Sequence, residues 1–354
     1  MKILLFCENK YAIDILNPIQ EYVTDNHLPH EVLWYIHEKK IDAFAYADKV
    51  RWTKSIQEAY DFSPEAIFVP GNIVPYYLPG VKIQVFHGYA AEKKDHWIIR
   101  RYFDTYFTQG PYFTSHFKAL AQKYGDFEVV ETGWPKQDWI KKNLHRYDDE
   151  KQALLEKSGK QTIILYAPTF SPKLTSLPLP DMKEQLERLA HERNALILMK
   201  FHPLTRQEWA DEYKAWAENH DDIIYIDKGE NVTKYQLMSD VLISDTSSTI
   251  YEFLLLSRPV ITIGTLSKEI YWVDIATPET LLQAYDHALT DPEAIARRQW
   301  IVDNYDPYLD GHVCERMLNA AADYIHRHGV PAKRRLNLWR KYTSIKTFGK
   351  VSKR

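Results

Sequence analysis

Short apolar runs alternate along the chain with stretches of amphipathic helical repeat, and polar turns separate them. Apolar runs at 2–7, 31–36, 66–69, 82–86, 106–108 and 128–130 predict one set of buried strands. A second series at 161–166, 195–199, 223–226, 241–243 and 260–263 predicts another. Helical patterns lie between several of them, including 11–21, where Pro18 predicts a kink, and 250–256. Strands that are apolar on both faces and alternate with helices belong to a parallel sheet covered on both sides. Ligands of such sheets bind beyond the carboxyl ends of the strands. Each polar turn of interest here falls at such an end.

The charged segment 141–160 predicts a crossing between two domains. The expected fold class is α/β, with two doubly wound Rossmann-type domains facing across a cleft. The expected division is 1–150 for the first domain, 151–305 for the second, 306–330 for a closing helix and 331–354 for a basic amphipathic tail. The length agrees, because 354 residues exceed one typical core. Apolar residues make up 45%, enough for sizeable cores. Of the two cysteines, Cys7 falls in a predicted strand and Cys314 in a predicted helix, which argues against a disulfide framework and fits a reducing compartment. The start of the chain reads as a strand rather than a signal peptide. No apolar stretch approaches the ~18 residues of a membrane span.

Charge changes the picture at one end. The formal net charge is −3, yet residues 331–354 hold nine Lys or Arg and no acid, leaving 36 basic against 48 acidic residues elsewhere. An acidic body with a basic tail predicts a tail that meets an anionic surface. Leu336, Leu338, Trp339, Tyr342, Ile345 and Phe348 are interleaved with those cations, a mix suited to an anionic lipid interface. A solubilising tail, or an arm docked on a partner, is the alternative.

Four strand-end turns carry candidate chemistry. His87 follows a strand and precedes Gly88, which permits a tight turn and close substrate approach; an imidazole there can take a proton from a hydroxyl. His202 sits in Lys200–Pro203, where Pro203 biases it away from helix, and Lys200 could add charge. Thr169 and Phe170 end a third strand as a phosphate or base contact and a stacking surface. Residues 244–249 are small and polar and open a helix, so Ser247, Ser248 and Thr249 form a candidate phosphate site. Asp245 and Glu252 flank it as sugar-hydroxyl contacts or capping groups. Each feature alone is also compatible with a structural histidine, a rigid turn or an ordinary helix cap. No metal signature, Gly-rich dinucleotide loop or Walker loop is present.

The ordered set of Phe86–Gly88, 166–170, Lys200–Pro203, 244–248, 253–259 and Asp310–Gly311 with Glu315–Arg316 resembles the CDP-glycerol glycerophosphotransferases of teichoic acid and related capsule synthesis. The resemblance covers roughly residues 80 to 320 and implies a GT-B-like architecture. It implies His87 as base toward the acceptor hydroxyl and His202 on the donor diphosphate. Ser247, Ser248 and Thr249 would hold phosphate, with Thr169 and Phe170 near the cytidine. The implied reaction is attack of an acceptor hydroxyl on the β-phosphate of CDP-glycerol or CDP-ribitol, releasing CMP. The acceptor would be a cell-surface polymer or lipid-linked intermediate.

That reading expects no metal, no cofactor and no nucleic acid, and a place on the cytoplasmic face of the membrane through the tail. Thr246 stands where many members carry an aromatic, and 263–268 departs from the family's aromatic and acidic loop, which leaves other donors open. The alternatives are a GT-B glycosyltransferase or epimerase using a nucleotide sugar, and a non-catalytic assembly subunit.

Overall fold

Seven strands build the first sheet: β1 (Lys2–Cys7), β2 (Glu31–Ile36), β3 (Trp52–Thr53), β4 (Ala66–Val69), β5 (Val81–Gln84), β6 (Thr105–Thr108) and β7 (Glu128–Glu131). A computed structural model describes the chain except residues 38, 42–43, 90, 92–93, 170–181, 333, 335 and 353–354. The sheet runs β3-β2-β1-β4-β5-β6-β7 and every pairing is parallel. Leu4 pairs with Leu33 on one side and Ile67 on the other. Around this sheet lie α1 (Ala12–Asp25), α2 (Ile56–Asp61), α3 (Pro111–Tyr124) and the start of α4 (Lys136–Asn143). Pro18 sits inside α1, as the sequence predicts.

The second sheet contains β8 (Thr162–Tyr166), β9 (Ala195–Lys200), β10 (Ile223–Ile226), β11 (Val241–Ser244), β12 (Val260–Ile263) and β13 (Val273–Ile275). Its order is β10-β9-β8-β11-β12-β13, again wholly parallel. Its helices are α5 (Asp148–Ser158), α6 (Lys183–Glu192), α7 (Gln207–Ala217), α8 (Val232–Met238), α9 (Thr249–Leu254), α10 (Leu281–Thr290) and α11 (Pro292–Tyr305). The chain closes with α12 (Val313–His328) and α13 (Leu338–Phe348). Each sheet has its own core. Phe6, Leu33, Ile67 and Phe117 lie in the first, and Ile164, Ile197, Ile243 and Ile261 in the second.

The strands absent from the sequence reading, β3 and β13, are both short sheet edges. An edge strand needs no continuous apolar run, and β13 is only half-buried throughout.

The division of the chain differs from the expected one. One unit is Met1–Lys142 with Tyr305–Arg354, and the other is Asn143–Asn304. Segment 306–354 thus joins the first unit. The reason is local: the Asp138 carboxylate accepts the N–H groups of Val313 at 3.0 Å and Cys314 at 2.7 Å, capping α12. Gly133, at φ +88°, lets α12 approach, since a Cβ there would stand 2.8 Å from Val313 Cγ2.

The basic tail is likewise tied down by its own unit. Arg334 makes two charge-assisted bonds to Asp104, at 2.7 and 2.6 Å, and donates to the Gly80 carbonyl. Phe348 packs edge-on against Phe6 at 5.2 Å, and Ser344 Oγ accepts the Tyr76 N–H. Leu338, Trp339, Tyr342 and Lys346 face outward. Among the described residues, no helix is long and apolar enough to cross a membrane.

Candidate functional site

In a doubly wound sheet the ligand crevice opens where the strand order reverses. In the first unit this point lies between β1 and β4, and β5 follows next to β4. The chain leaving β5 does not extend to 86 as the apolar run predicts. It stops at Gln84, and Phe86 adopts a left-handed conformation at φ +59°. A bulky residue in that region is costly and must be held by its surroundings. Trp134 Nε1 donates to the Phe86 carbonyl at 3.3 Å and Gln109 Nε2 to the Gly88 carbonyl at 2.9 Å. The Phe86 ring stacks on His96 at 5.0 Å, and burial above all, with the neighbouring His87 second, holds the His96 imidazole down at about 3. Gly88 takes φ +150°, as the Gly after His87 predicts.

This pinned turn presents His87 at the surface with a defined tautomer. Its Nδ1 lies 3.2 Å from the Pro70 carbonyl oxygen, which can only accept. The ring proton therefore sits on Nδ1, and Nε2 carries the lone pair. Two residues on, the buried Tyr89 hydroxyl donates to Asp306 at 2.6 Å and accepts from Gln137 Nε2 at 3.0 Å. Asp306 also accepts the Trp134 N–H at 3.0 Å. Burial pushes the Asp306 carboxyl up to about 8, against the opposing pull of these donors. Tyr89 and Asp306 were not singled out from sequence, and Phe86 entered only as part of the stretch Phe86–Gly88. Tyr89's closeness to His87 was the one available signal, and nothing marks Asp306 in the one-dimensional pattern.

In the second unit the reversal lies between β8 and β11. The turns after these strands are joined by one carboxylate. Asp245 accepts the Thr169 N–H at 3.0 Å, the Thr169 hydroxyl at 2.7 Å and the Thr246 N–H at 2.6 Å. Burial nevertheless raises the Asp245 pKa. The Thr169 hydroxyl is thus committed to Asp245, and its immediate role is to lock two strand ends together. Phe170 lies outside the described residues. Ser244 Oγ donates to the Ala167 carbonyl, a further link between the same strands.

Residues 246–249 lead into α9, a helix of only six residues. Ser248 occupies the N-cap position without a side-chain capping bond, and Ser247 Oγ accepts the Thr249 N–H at 3.3 Å. Ser248 is exposed, while Ser247 and Thr249 are half-buried. Glu252 lies in the first turn of α9. Thr246 Oγ1 accepts the Leu266 N–H at 3.0 Å, so this turn packs on the loop where the sequence departs from the family pattern. The adjoining Arg258 donates to the carbonyls of Gln236, Leu237 and Ser239, which finishes α8 and fixes the return to β12.

His202 follows β9 and is exposed. Its Nδ1 accepts the Leu204 N–H at 3.1 Å, so the neutral ring carries its proton on Nε2. Burial first, then the charge of Lys200, lowers its pKa. Lys200 itself does not project beside His202 as a free ammonium. Its side chain is buried and donates to the carbonyls of Phe201 at 3.0 Å and Lys228 at 2.9 Å. Its contribution to His202 is a field, not a contact. Among the described residues no group of three or more His, Cys, Asp or Glu is placed to hold a metal ion.

Two parallel, doubly wound units with polar strand-end turns define a GT-B-like, Rossmann-type protein. The wall teichoic acid polymerase TagF shares this fold with TM-score 0.66 and 16% identity over 92% of this chain and 89% of that one. MnaA of S. aureus, in a structure with UDP, does so equally at TM-score 0.66 and 15% identity, over 92% and 97%. A UDP-N-acetylglucosamine 2-epimerase shares it too, at TM-score 0.63 and 14% identity over 92% of this chain and 95% of that one, so fold alone does not separate the transferase from the epimerase reading. Sequence does: the profile of the CDP-glycerol:poly(glycerophosphate) glycerophosphotransferases matches residues 73–271, and the chain belongs to that family. The teichoic acid ribitol-phosphate primase of Bacillus spizizenii is 28% identical over 222 residues, 54% of each chain. The teichoic acid poly(glycerol phosphate) polymerase of the same organism is 23% identical over 282 residues, 69% of this chain and 68% of that one. The chain spans about half the length of the curated relatives it matches.

Proposed function

We propose that the chain transfers glycerol phosphate or ribitol phosphate from a CDP-linked donor to a hydroxyl of a cell-surface polymer or lipid-linked intermediate. The observation that carries this reading is the opposite tautomers of the two strand-end histidines. His87 offers a lone pair at Nε2, as a base must, and His202 offers an N–H at Nε2, as a phosphate ligand must. In the proposed step the acceptor oxygen bonds to the β-phosphorus and its proton passes to His87 Nε2. The bond from that phosphorus to the bridging oxygen breaks, and CMP leaves. His202 Nε2–H donates to the departing phosphate, and the backbone and hydroxyls of Ser247, Ser248 and Thr249 hold the diphosphate. Positioning and charge neutralisation supply most of the acceleration, and no metal ion enters the scheme.

The membrane is proposed as the second partner. The outward face of α13 combines Leu338, 82% exposed, and Trp339, 72% exposed, with Tyr342 and Lys346. Aromatic and basic groups on one fixed helical face fit an anionic lipid interface on the cytoplasmic side. The donor reading is tested by thermal shift with CDP-glycerol, CDP-ribitol, CMP, UDP and UDP-sugars, and by CMP release in EDTA. Stabilisation by uridine compounds alone would overturn it. Flotation with anionic vesicles tests the tail, since a Trp339→Ala, Tyr342→Ala protein should float less than the wild type.

A further inference from the structure

The transferase reading leaves one group at the first unit's strand reversal unused. Glu8 directly follows β1, and Gly71 lies just beyond the end of β4, so both stand at the crevice that the strand order opens. Glu8 is 5% exposed. Its Oε2 has no hydrogen bond of good geometry among the described residues; the Tyr11 hydroxyl donates to Oε1 over a long 3.5 Å, and the Asn72 N–H adds a weak pull on the carboxyl against its burial. Leaving a buried carboxylate oxygen unsatisfied is costly, and a carboxyl that merely filled space would be better replaced by an apolar group. The backbone is shaped around it. A Cβ at Gly71 would stand 1.6 Å from Glu8 Oε1, and the φ of Gly71 is not in the left-handed region, so that glycine reserves room for the carboxyl and not for a turn.

His87 lies against the same segment, because its Nδ1 is bonded to the carbonyl of Pro70, the residue before Gly71. The Tyr11 ring, 43% exposed, is 5.5 Å from the His87 ring. Glu8, Tyr11 and His87 therefore converge from the ends of two strands, β1 and β5. We infer that this crevice is an acceptor subsite in which Glu8 and Tyr11 bind a hydroxyl adjacent to the one His87 deprotonates. This rests on the transferase reading above.

The chemistry selects the ligand class. A buried carboxyl oxygen needs a partner in either protonation state, and a hydroxyl, which both donates and accepts, serves both forms, whereas a phosphate is repelled by the ionised one, so a vicinal hydroxyl of a polyol fits better. Tyr11 is the group that gives way, being exposed and held to Glu8 only by the long bond. Lys40 supplies the opposing charge, while burial dominates and lifts the Glu8 carboxyl to about 7. The buried Cys7 thiol beside it is also pushed up, by burial and then by Glu8. Glu8 lies outside the segment that the family profile matches.

Calorimetric titration of the full chain with glycerol 3-phosphate and with 3-hydroxypropyl phosphate, which lacks only the central hydroxyl, tests the inference. The wild type should bind the first about 10- to 100-fold more tightly. Glu8→Gln and Gly71→Ala should erase that preference, and Tyr11→Phe, at an exposed position, should reduce it even if the other two variants fail to fold. Equal binding of both probes, no binding of either, or an undiminished preference in folded variants would overturn it. CDP-glycerol is titrated in parallel. Its failure to bind would sink the donor reading while leaving the preference between the two probes to be read on its own.

Discussion

The two units use one sheet plan and load it with opposite chemistry. In the second, the strand reversal holds a carboxylate that is fully engaged: Asp245 is clasped by Thr169 and Thr246. In the first, the carboxylate at the reversal is on the other side of it: Glu8 follows β1, the counterpart of β8, and its Oε2 has no partner among the described residues. The histidines also sit on opposite sides of the reversal, His87 after the strand beyond β4 and His202 after the strand beyond β8. A satisfied, donor-rich turn suits a phosphate, and an acceptor-rich crevice suits hydroxyls. On the proposed reading, the same fold divides into an anion-binding half and a hydroxyl-binding half by the choice of a few strand-end residues.

The sharpest way to break this comparison is to remove each histidine. His87→Ala should lower kcat by about 10²- to 10⁴-fold while leaving CDP-glycerol affinity unchanged. His202→Ala should lower kcat by about 10²-fold and also weaken the donor. If both variants weakened the donor alike, the division of labour would fail.

A second pair of substitutions separates the units by stability. Arg334→Ala strands the buried Asp104 carboxylate and should destabilise the first unit by about 3 kcal/mol. Arg258→Ala leaves three carbonyls without their donor and should destabilise the second by about 3 kcal/mol. Calorimetry should show different parts of the melt moving in the two variants.

The pH response carries a smaller effect with a defined sign. Asp306 has an ordinary value of 3.8 when unfolded and about 8 when folded. Between these values the native state keeps a proton that the unfolded state has released, so stability falls as pH rises from about 4 to about 8. Asp306→Asn should flatten that decline in chemical denaturation. Smallest of all, Ser248→Ala should leave stability within about 0.5 kcal/mol, because Ser248 makes no capping bond. It should still weaken donor affinity about tenfold if the hydroxyl meets phosphate. A loss of stability without a loss of affinity would make it a structural residue.

Much of the architecture is legible because parallel strands buried on both faces leave continuous apolar runs. The runs at 2–7, 31–36, 66–69, 223–226 and 260–263 coincide with strands in the structure. The edges β3 and β13 leave no such trace. His87, His202 and 247–249 were visible because each lies at or in the polar turn that follows an apolar run. Glu8 does too, but a lone acid after a strand reads as a solvated turn until Gly71 is folded against it. Asp306 was illegible, since its partners Tyr89 and Trp134 are brought to it only by the fold. Lys200 ends β9 and Thr169 follows β8, at the strand ends where the sequence places them. Their polar atoms are spent on backbone and on Asp245, which alternation and spacing do not reveal.

The path of the chain between the units has a consequence for synthesis. The first unit takes its residues from both ends of the sequence, with 143–304 running between them. A ribosome therefore delivers seven strands of the first sheet long before α12 and α13 emerge to cover them. Asp104 waits for Arg334, and Asp138 waits for the start of α12. The second unit, contiguous in sequence, is complete while the first is still missing its last pieces. Domains that form as units during elongation fold when their last segment appears. The unit made first is thus the one expected to finish last, and the nascent chain spends that interval with an open apolar face.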